Sequence, residues 1–559
     1  MIELRRPFGK LAVILFALYS LAHLLAAAGL IAFGVSADGY PLNRWGIYSY
    51  AAAALVALVL SLSELRRREE GPSPLQLTLP PLLALQTKMP KTVLAKQAHW
   101  LTLLVVAMTM PLLSACLSGS EPVPIRPGVL SDGCGGVIVT WVHKSKIYAK
   151  RLNGEGRPLW PGQEMAVSSK AAISSFHKMV TDDSGGAIIV WMDWRTQDEK
   201  GEDLYAQRLS ADGRILWKES GVPVCVMPDH QTIADIVSDS SGGAIIVWID
   251  MRNGHRGIYA QRLDASGNAL WQENGVPVVS TGAYLDEIRA ASDGSGGAII
   301  VWVDGRGSEY DIYAQRTDSQ GRTVWHENGI PMSTAPGSQR NPQIASDGAG
   351  GAVIAWYNGD ASPTSISAQR VSSEGRTLWR ENGVVLATAD GAPKLINDGQ
   401  GEALMTWLEM PKPTAAFPGQ WALYGQKLNS EGKGQWGEDP VVLSPGIDHG
   451  LDAQIASDGF GGAIIVWRLG SSPHKGGTIY AQKLDSKGNP SWVETGVAAY
   501  PVSTFKYQGF PQVVSDGSGG AIIVSVLGRS PVAKDLIFAQ RIDSEGNCLW
   551  SEAAVQVYP

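Results

Sequence analysis

From Glu121 to Pro559 the apolar and polar positions recur in one pattern. The copy beginning at Ser292, SDGSGGAIIVWVDGRGSEYDIYAQRTDSQGRTVWHENGIPM, shows it best. A glycine-rich polar turn opens it, and glycine tolerates the positive φ that tight hairpin turns need. The run GGAIIVW follows and is continuously apolar rather than alternating, which predicts a strand covered on both faces. IYAQR predicts the next strand, and a turn of the form LDxxGxxxW leads into another. The stretch before each SDG, such as PQIAS from Pro342, supplies the remaining strand.

The columns of this pattern hold through eight copies. The turn aspartate recurs as Asp132, Asp182, Asp239, Asp293, Asp347, Asp398, Asp458 and Asp516. Nine residues after each stands Trp141, Trp191, Trp248, Trp302, Trp356, Trp407 or Trp467, with Ser525 in the eighth copy. An aromatic follows at Tyr148, Tyr205, Tyr259, Tyr313, Tyr424, Tyr480 and Phe538, with Ser367 in the fifth copy. Twelve residues beyond each of these comes a second tryptophan: Trp160, Trp217, Trp271, Trp325, Trp379, Trp436, Trp492 and Trp550. Length changes are confined to the other two connections, so two turns of each unit are fixed and two are variable. Four strands per unit at this period predict an all-β, eight-bladed β-propeller with four-stranded antiparallel blades. The fixed turns share one face of such a ring and the variable connections the other, which makes the variable face the expected working side.

The N-terminal region follows a different rule. Leu11 to Phe33 is apolar and without Asp, Glu, Lys or Arg, long enough to cross a bilayer as a helix, and Gly46 to Leu62 is a second, shorter run. Arg5, Arg6 and Lys10 precede the pair, Arg66, Arg67 and Arg68 follow it, and the loop between holds only Arg44. The positive-inside rule puts both ends of this hairpin in the cytoplasm. A third run, Trp100 to Leu113, lies after Lys88, Lys91 and Lys96 and ends in LSAC at Cys116. That layout fits a secretory signal starting at Met89, or else a third transmembrane helix. The ending LSAC resembles the lipobox of bacterial lipoproteins, and the resemblance implies cleavage before Cys116 and lipid on its sulfur. The expected domains are a transmembrane hairpin over 1–70, a cytoplasmic linker over 71–98, the signal-like or transmembrane segment over 99–120, and the propeller over 121–559. Each reading sends the propeller to the extracytoplasmic side; lipid on Cys116 or an uncleaved helix would anchor it in the membrane, and simple secretion would not.

The formal net charge of −7, with no basic stripe in the repeats, argues against nucleic acid. None of the four cysteines, Cys116, Cys134, Cys225 and Cys548, forms a CxxC pair, and no histidine lies at ligand spacing, so no metal or other cofactor is expected. Cys134 and Cys548 fall in fixed turns of the first and last blades, neighbours in a closed ring. A disulfide between them is possible in an oxidising compartment if the Cα atoms come within about 7 Å; two free thiols are the alternative. The turn LDxxGxxxW resembles the tryptophan-docking turns of eight-bladed quinoprotein propellers, and more loosely the Asp-box of sialidases, whose two spacings are each one residue shorter. These resemblances imply architecture and not activity. The adjacent cysteines of quinoprotein dehydrogenases and the arginine set of sialidases are not found here.

Once the repeat columns are set aside, few candidates remain. Apart from Trp45 and Trp100 at the entrances of apolar runs, Trp194 and Trp421 are the tryptophans outside the columns. Blades two to four carry W-x-D-x-R with Asp193 and Arg195, Asp250 and Arg252, and Asp304 and Arg306, readable as a structural ladder or as a charged rim. The longest connection, EMPKPTAAFPGQWAL from Glu409, presents Phe417 and Trp421 for a glycan or protein partner, or folds them back on their blade. His177, His230 and His449 lie near variable connections. The loop carboxylates Asp286, Glu287 and Asp452 leave open a surface polysaccharide hydrolase or lyase, but no catalytic constellation is legible. The sequence therefore favours a non-catalytic binding or scaffolding propeller whose partners are the membrane and an unidentified glycan or protein.

Overall fold

The structure, a computed structural model, describes residues 126–558 apart from 161–163, 170–172, 196–200, 253, 362, 411–420, 448–452, 471–476, 494, 502–504, 506, 529–535 and 551–553. The expected membrane hairpin, linker, signal-like segment and Cys116 lie outside the described residues. Among the described residues no helix is long and apolar enough to cross a membrane.

The described strands form eight four-stranded antiparallel sheets, each built from four consecutive strands. In blade one these are β1 (Gly128–Ser131), β2 (Val137–His143), β3 (Lys146–Leu152) and β4 (Met165–Ala166). The first strand of each blade is innermost, and these inner strands neighbour one another around a closed ring. β1 abuts both Ile173–Thr181 of blade two and Tyr507–Ser515 of blade eight. The chain is thus an eight-bladed β-propeller that closes without exchanging a strand between its ends. Second strands such as Ala298–Asp304 are buried at every residue, because neighbouring blades cover both faces.

Blade four shows how the fixed columns work. Asp293 Oδ1 accepts from the amides of Ser295 and Gly297, both at 2.8 Å, which closes the SDGSGG turn. A Cβ at Gly297 would stand 2.1 Å from the Thr317 carbonyl, so only glycine fits there. Asp293 Oδ2 takes the ion pair from Arg316 at 2.9 Å, and the arginine's other end donates to Ser373 O in blade five. Gln315, one residue earlier, donates to His326 O and accepts from the amide of Trp325, fixing the second tryptophan. The Trp325 indole N–H donates to Ser373 O at 3.0 Å, and its ring covers Gly375 of that same turn. Thus YAQR supplies a ring stacked on the first tryptophan, an amide that holds the second, and a cation that ties the turn.

The indole bond onto the next blade is made eight times. The acceptors for Trp160, Trp217, Trp271, Trp325, Trp379, Trp436 and Trp492 lie on the following blade. Trp550 of blade eight donates to Gly154 O of blade one at 2.8 Å and shuts the ring. Arg541 donates to the same carbonyl at 2.9 Å. The seam has two further ties: Lys150 Nζ donates to Val557 O, and the Tyr558 hydroxyl shares a 2.7 Å hydrogen bond with His143 Nδ1.

Both departures from the columns are compensated locally. Where Ser525 replaces tryptophan, Tyr500 from the preceding connection is fully buried and donates to Ile523 O at 2.8 Å, and Phe505 packs on Phe538. Where Ser367 replaces tyrosine, Asn358 caps the Trp356 indole and donates to Ser365 and Ser367.

If docking alone closes the ring, the seam tryptophan should matter as much as an internal one. Trp550→Ala and Trp325→Ala are each expected to cost about 3–5 kcal/mol, and Tyr558→Phe about 1 kcal/mol. Urea unfolding midpoints check this; a Trp550→Ala midpoint equal to that of the wild type would contradict it.

Candidate functional site

With the fixed face committed to blade docking, the chemistry available to a ligand lies on the variable face and in the channel. The W-x-D-x-R segments on that face prove to be latches within single blades. In blade two the Trp191 indole donates to Asp193 Oδ2 at 2.8 Å, and Arg195 donates to Asp193 Oδ2 and Ser220 O while its guanidinium lies 3.8 Å above the Tyr205 ring. Asp250 with Arg252 and Asp304 with Arg306 repeat the arrangement. All three carboxylates are buried and saturated, so what these segments offer to solvent is an arginine edge, widest at Arg306. In blades six and seven Glu409 and Leu469 replace the capping aspartate, and the Trp407 and Trp467 indole N–H groups are buried without a hydrogen-bond partner.

The other sequence candidates are scattered. Trp194 is half-buried beside Asp193. Trp421 is half-buried at the start of the strand Trp421–Leu428 and packs against the cluster containing Leu423, Leu443 and Trp467. Phe417, His449 and Asp452 lie outside the described residues. Cys134 and Cys548 are both free thiols, so the pairing considered for them is not formed. Cys548 Sγ lies 3.9 Å from Ala498 O, on the blade-seven side of blade eight, whereas the Cys134 turn abuts blade eight from blade one at Asp516 O. His230 is exposed, 3.8 Å from Glu202. His177 is half-buried between blades one and two, sharing a 2.8 Å hydrogen bond with Thr140.

What the structure brings together is the channel mouth. Several inner strands break register near their start, between Ile173 and His177, Asp286 and Arg289, Arg340 and Gln343, and Gly509 and Gln512. Glu287, Asn341 and Phe510 occupy equivalent places in these bulges with φ of 53°, 54° and 50°. The left-handed region is costly for glutamate and phenylalanine, and bulges of this kind re-aim side chains. Unlike the fixed columns, this position changes chemistry from blade to blade: exposed Phe176, Glu287, exposed Asn341, Phe510 and exposed Arg126. Arg126 lies 5.2 Å from the Phe510 ring, and Glu287 accepts from the Asn341 amide of the next blade.

Beside this mouth an aromatic and basic array crosses three blades. Arg256 of blade three lies 4.8 Å above the ring of Tyr284, which meets Tyr310 edge-on at 5.5 Å, and Arg340 of blade five lies 4.2 Å above Tyr310. Tyr284 is 42% exposed, although such rings are usually covered. Its hydroxyl donates to Asp286 at 2.5 Å, which raises the tyrosine's pKa. Burial pushes the Asp286 carboxyl up, but Tyr284, the Glu287 amide and Arg256 together hold it below the ordinary range. Asp286 is therefore an ionised anchor for the array and not a proton donor. The carboxyls that burial raises lie elsewhere: Glu202, opposed by His230, and Asp311, with Asp304 and Glu309 adding to the effect. No group of three or more His, Cys, Asp or Glu among the described residues is placed to hold a metal. Sequence reasoning named Asp286 and Glu287 but missed Tyr284, Tyr310, Arg256 and Arg340. Setting aside the column tyrosines, as was done for the tryptophans, would have exposed the first two.

No family model matches the chain, and no curated protein matches it. Solved structures with some similarity include the β-propeller domain of the Trilobed protease from Pyrococcus furiosus, at 11% identity and a TM-score of 0.36, covering 68% of this chain and 98% of that one. A catalytically inactive virginiamycin B lyase from Staphylococcus aureus follows at 14% identity and 0.35, covering 62% and 93%. An endo-arabinase from Bacteroides thetaiotaomicron stands at 12% and 0.25, covering 45% and 95%. Likenesses at this level carry no functional inference.

Burial holds the His177 imidazole down at about 4, so the unfolded chain takes up this proton first as pH falls. Stability from this group is complete above about pH 6.5 and is lost toward pH 4, by about 3 kcal/mol in all. Urea unfolding at pH 7 and pH 4.5 checks this: His177→Asn should lose less stability between the two than the wild type, and equal losses would contradict the assignment.

Proposed function

We propose that the chain is a membrane-anchored, extracytoplasmic propeller that acts as a non-catalytic binding or scaffolding module, taking its ligand at the channel mouth on the variable face. The observation that carries this reading is the array Arg256–Tyr284–Tyr310–Arg340. Its Tyr284 ring is exposed, with Arg256, Tyr310 and Arg340 half-buried beside it, and the array spans three blades and belongs to no repeat column. Trp194, Trp421 and the outer edge of Arg306 extend the same face as secondary contacts, and Phe417 is a candidate from the sequence alone. The anchor rests on the apolar runs before residue 114 and on LSAC at Cys116. The likeness of the LDxxGxxxW turn to quinoprotein docking turns supports the architecture and adds no cofactor.

Two measurements test this. Tyr284→Ala with Tyr310→Ala in the full-length protein should weaken glycan or partner binding by about tenfold or more while leaving the melting midpoint within a few degrees. Unchanged binding would remove the mouth as the site. Intact-mass analysis of native protein should show a lipid-modified N-terminus at Cys116; a chain beginning at Met1 with unmodified Cys116 would replace the lipid by three membrane helices.

A hydrolytic reading has one specific support. Glu202 is a buried carboxyl with a raised pKa beside His230 on the variable face, the environment of a general acid. Polysaccharide cleavage abolished by Glu202→Gln would favour that reading over pure binding.

A further inference from the structure

We propose that the Tyr284 ring is the platform for one sugar of a neutral glycan, with Asp286 and Arg256 at its rim taking the sugar's hydroxyls. This deepens the binding reading above and rests on it.

Tyr284 is restrained from several sides. Its carbonyl accepts from the Gly305 amide at 2.8 Å, and its hydroxyl donates to Asp286 at 2.5 Å. The Arg256 guanidinium lies 4.8 Å from the ring centroid, and Tyr310 meets the ring edge-on at 5.5 Å. A Cβ at Gly305 would stand 3.1 Å from Tyr284 Cβ and 3.3 Å from Tyr310 Cε1, so the glycine lets both aromatics close on one stretch of backbone. Yet the residue is 42% exposed. Fixing a side chain costs conformational entropy, which burial normally offsets. Here a ring is fixed without being covered, as a preorganised contact is. Tyr310 is half-buried with Arg340 4.2 Å over its ring, so it backs the platform more than it presents one.

The rim of the ring decides what it would hold. Arg256 and Asp286 form an ion pair at 3.2 Å, with side chains 35% and 37% exposed. Arg256 Nη1 also donates to Leu285 O at 3.0 Å, which fixes the guanidinium beside the ring. Tyr284, the Glu287 amide and Arg256 keep the Asp286 carboxyl ionised, so it accepts hydrogen bonds and does not donate them. The pair thus offers an acceptor and a donor with no net charge. Glu287 and Glu309, chain neighbours of Asp286 and Tyr310, add carboxylates that would repel an acidic polymer.

A neutral pyranose matches this arrangement. It has a face of C–H groups suited to an aromatic ring, and a rim of hydroxyls that both donate and accept. Those hydroxyls can donate to Asp286 and accept from Arg256 without breaking the pair, and hydrogen bonds to charged groups are the stronger kind. An apolar peptide side chain would cover the ring but strip water from the pair and return no hydrogen bond to it. The chemistry therefore favours an uncharged sugar over a uronate or a peptide.

Titration calorimetry of the full-length protein, in a detergent without a sugar headgroup, tests this with tetramers of glucose, mannose and galactose, a galacturonate tetramer and a proline-rich decapeptide. The proposal expects a neutral tetramer to bind better than the galacturonate tetramer and the peptide, with an affinity that added salt changes little. Asp286→Asn should lower that affinity by roughly tenfold with the melting midpoint within a few degrees, and Tyr284→Phe should keep part of what Tyr284→Ala loses. Saturation-transfer NMR on the wild type needs no variant: transfer should be strongest at the C–H protons of one sugar face, and equal transfer to both faces would overturn the stacking. Peptide or galacturonate binding that needs Tyr284 and exceeds that of every neutral tetramer would overturn the neutral glycan and leave the mouth as a binding site. Neutral binding indifferent to both Tyr284→Ala and Asp286→Asn would overturn the platform and the mouth together. Failure of every neutral tetramer to bind folded protein would overturn the proposal.

Discussion

Everything in the ring depends on one contact: the second tryptophan of each blade, seated over the glycine of the next blade's LDxxG turn and hydrogen-bonded to that turn's backbone. It is an interblade bond made by residues with fixed spacing, which is why the spacing never changes. Trp160 lies so close over Gly213 that a Cβ there would stand 2.6 Å from the indole, so ring and glycine form one part in two halves. The buried pair of the turn aspartate with arginine or lysine keeps the receiving turn in shape, and removing one partner of such a pair leaves a buried charge. Because the contact is local to two blades, the last blade can meet the first by the same means, and no shared strand is required.

That economy separates structure from function across the two faces. The fixed face is a repeating joint, and a change there is felt by two blades at once. The variable connections meet no such requirement and differ in length and chemistry, as do the first residues of the inner strands that they feed. Glu287, Asn341 and Phe510 share a strained backbone but not a side-chain type, which is what a scaffold carrying different contacts at one place looks like. The proposed ligand site thus sits where the repeat is silent.

The same separation explains what could be read from the chain. Blade number, strand order and the docking turns were legible because eight copies repeat them. The state of Asp193, Asp250 and Asp304 was not: W-x-D-x-R looks alike whether its carboxylate faces water or is sealed beneath an indole and an arginine. Nor was the filling of Ser525's place by Tyr500, since the tyrosine lies in a connection with no counterpart in other blades. The Cys134–Cys548 pairing failed on a matter of side, as the Cys548 thiol of blade eight turns toward blade seven while the Cys134 turn of blade one meets blade eight at Asp516.

The central claim is that the fixed turns build the ring and the channel mouth meets the ligand. Hydrogen exchange on the full-length protein, with and without a saturating oligosaccharide, tests it most directly. The account predicts added protection in 284–290 and 339–343 and none in the turns around Gly213, Gly267 and Gly375. Protection confined to those fixed turns, with the mouth unchanged, would contradict it.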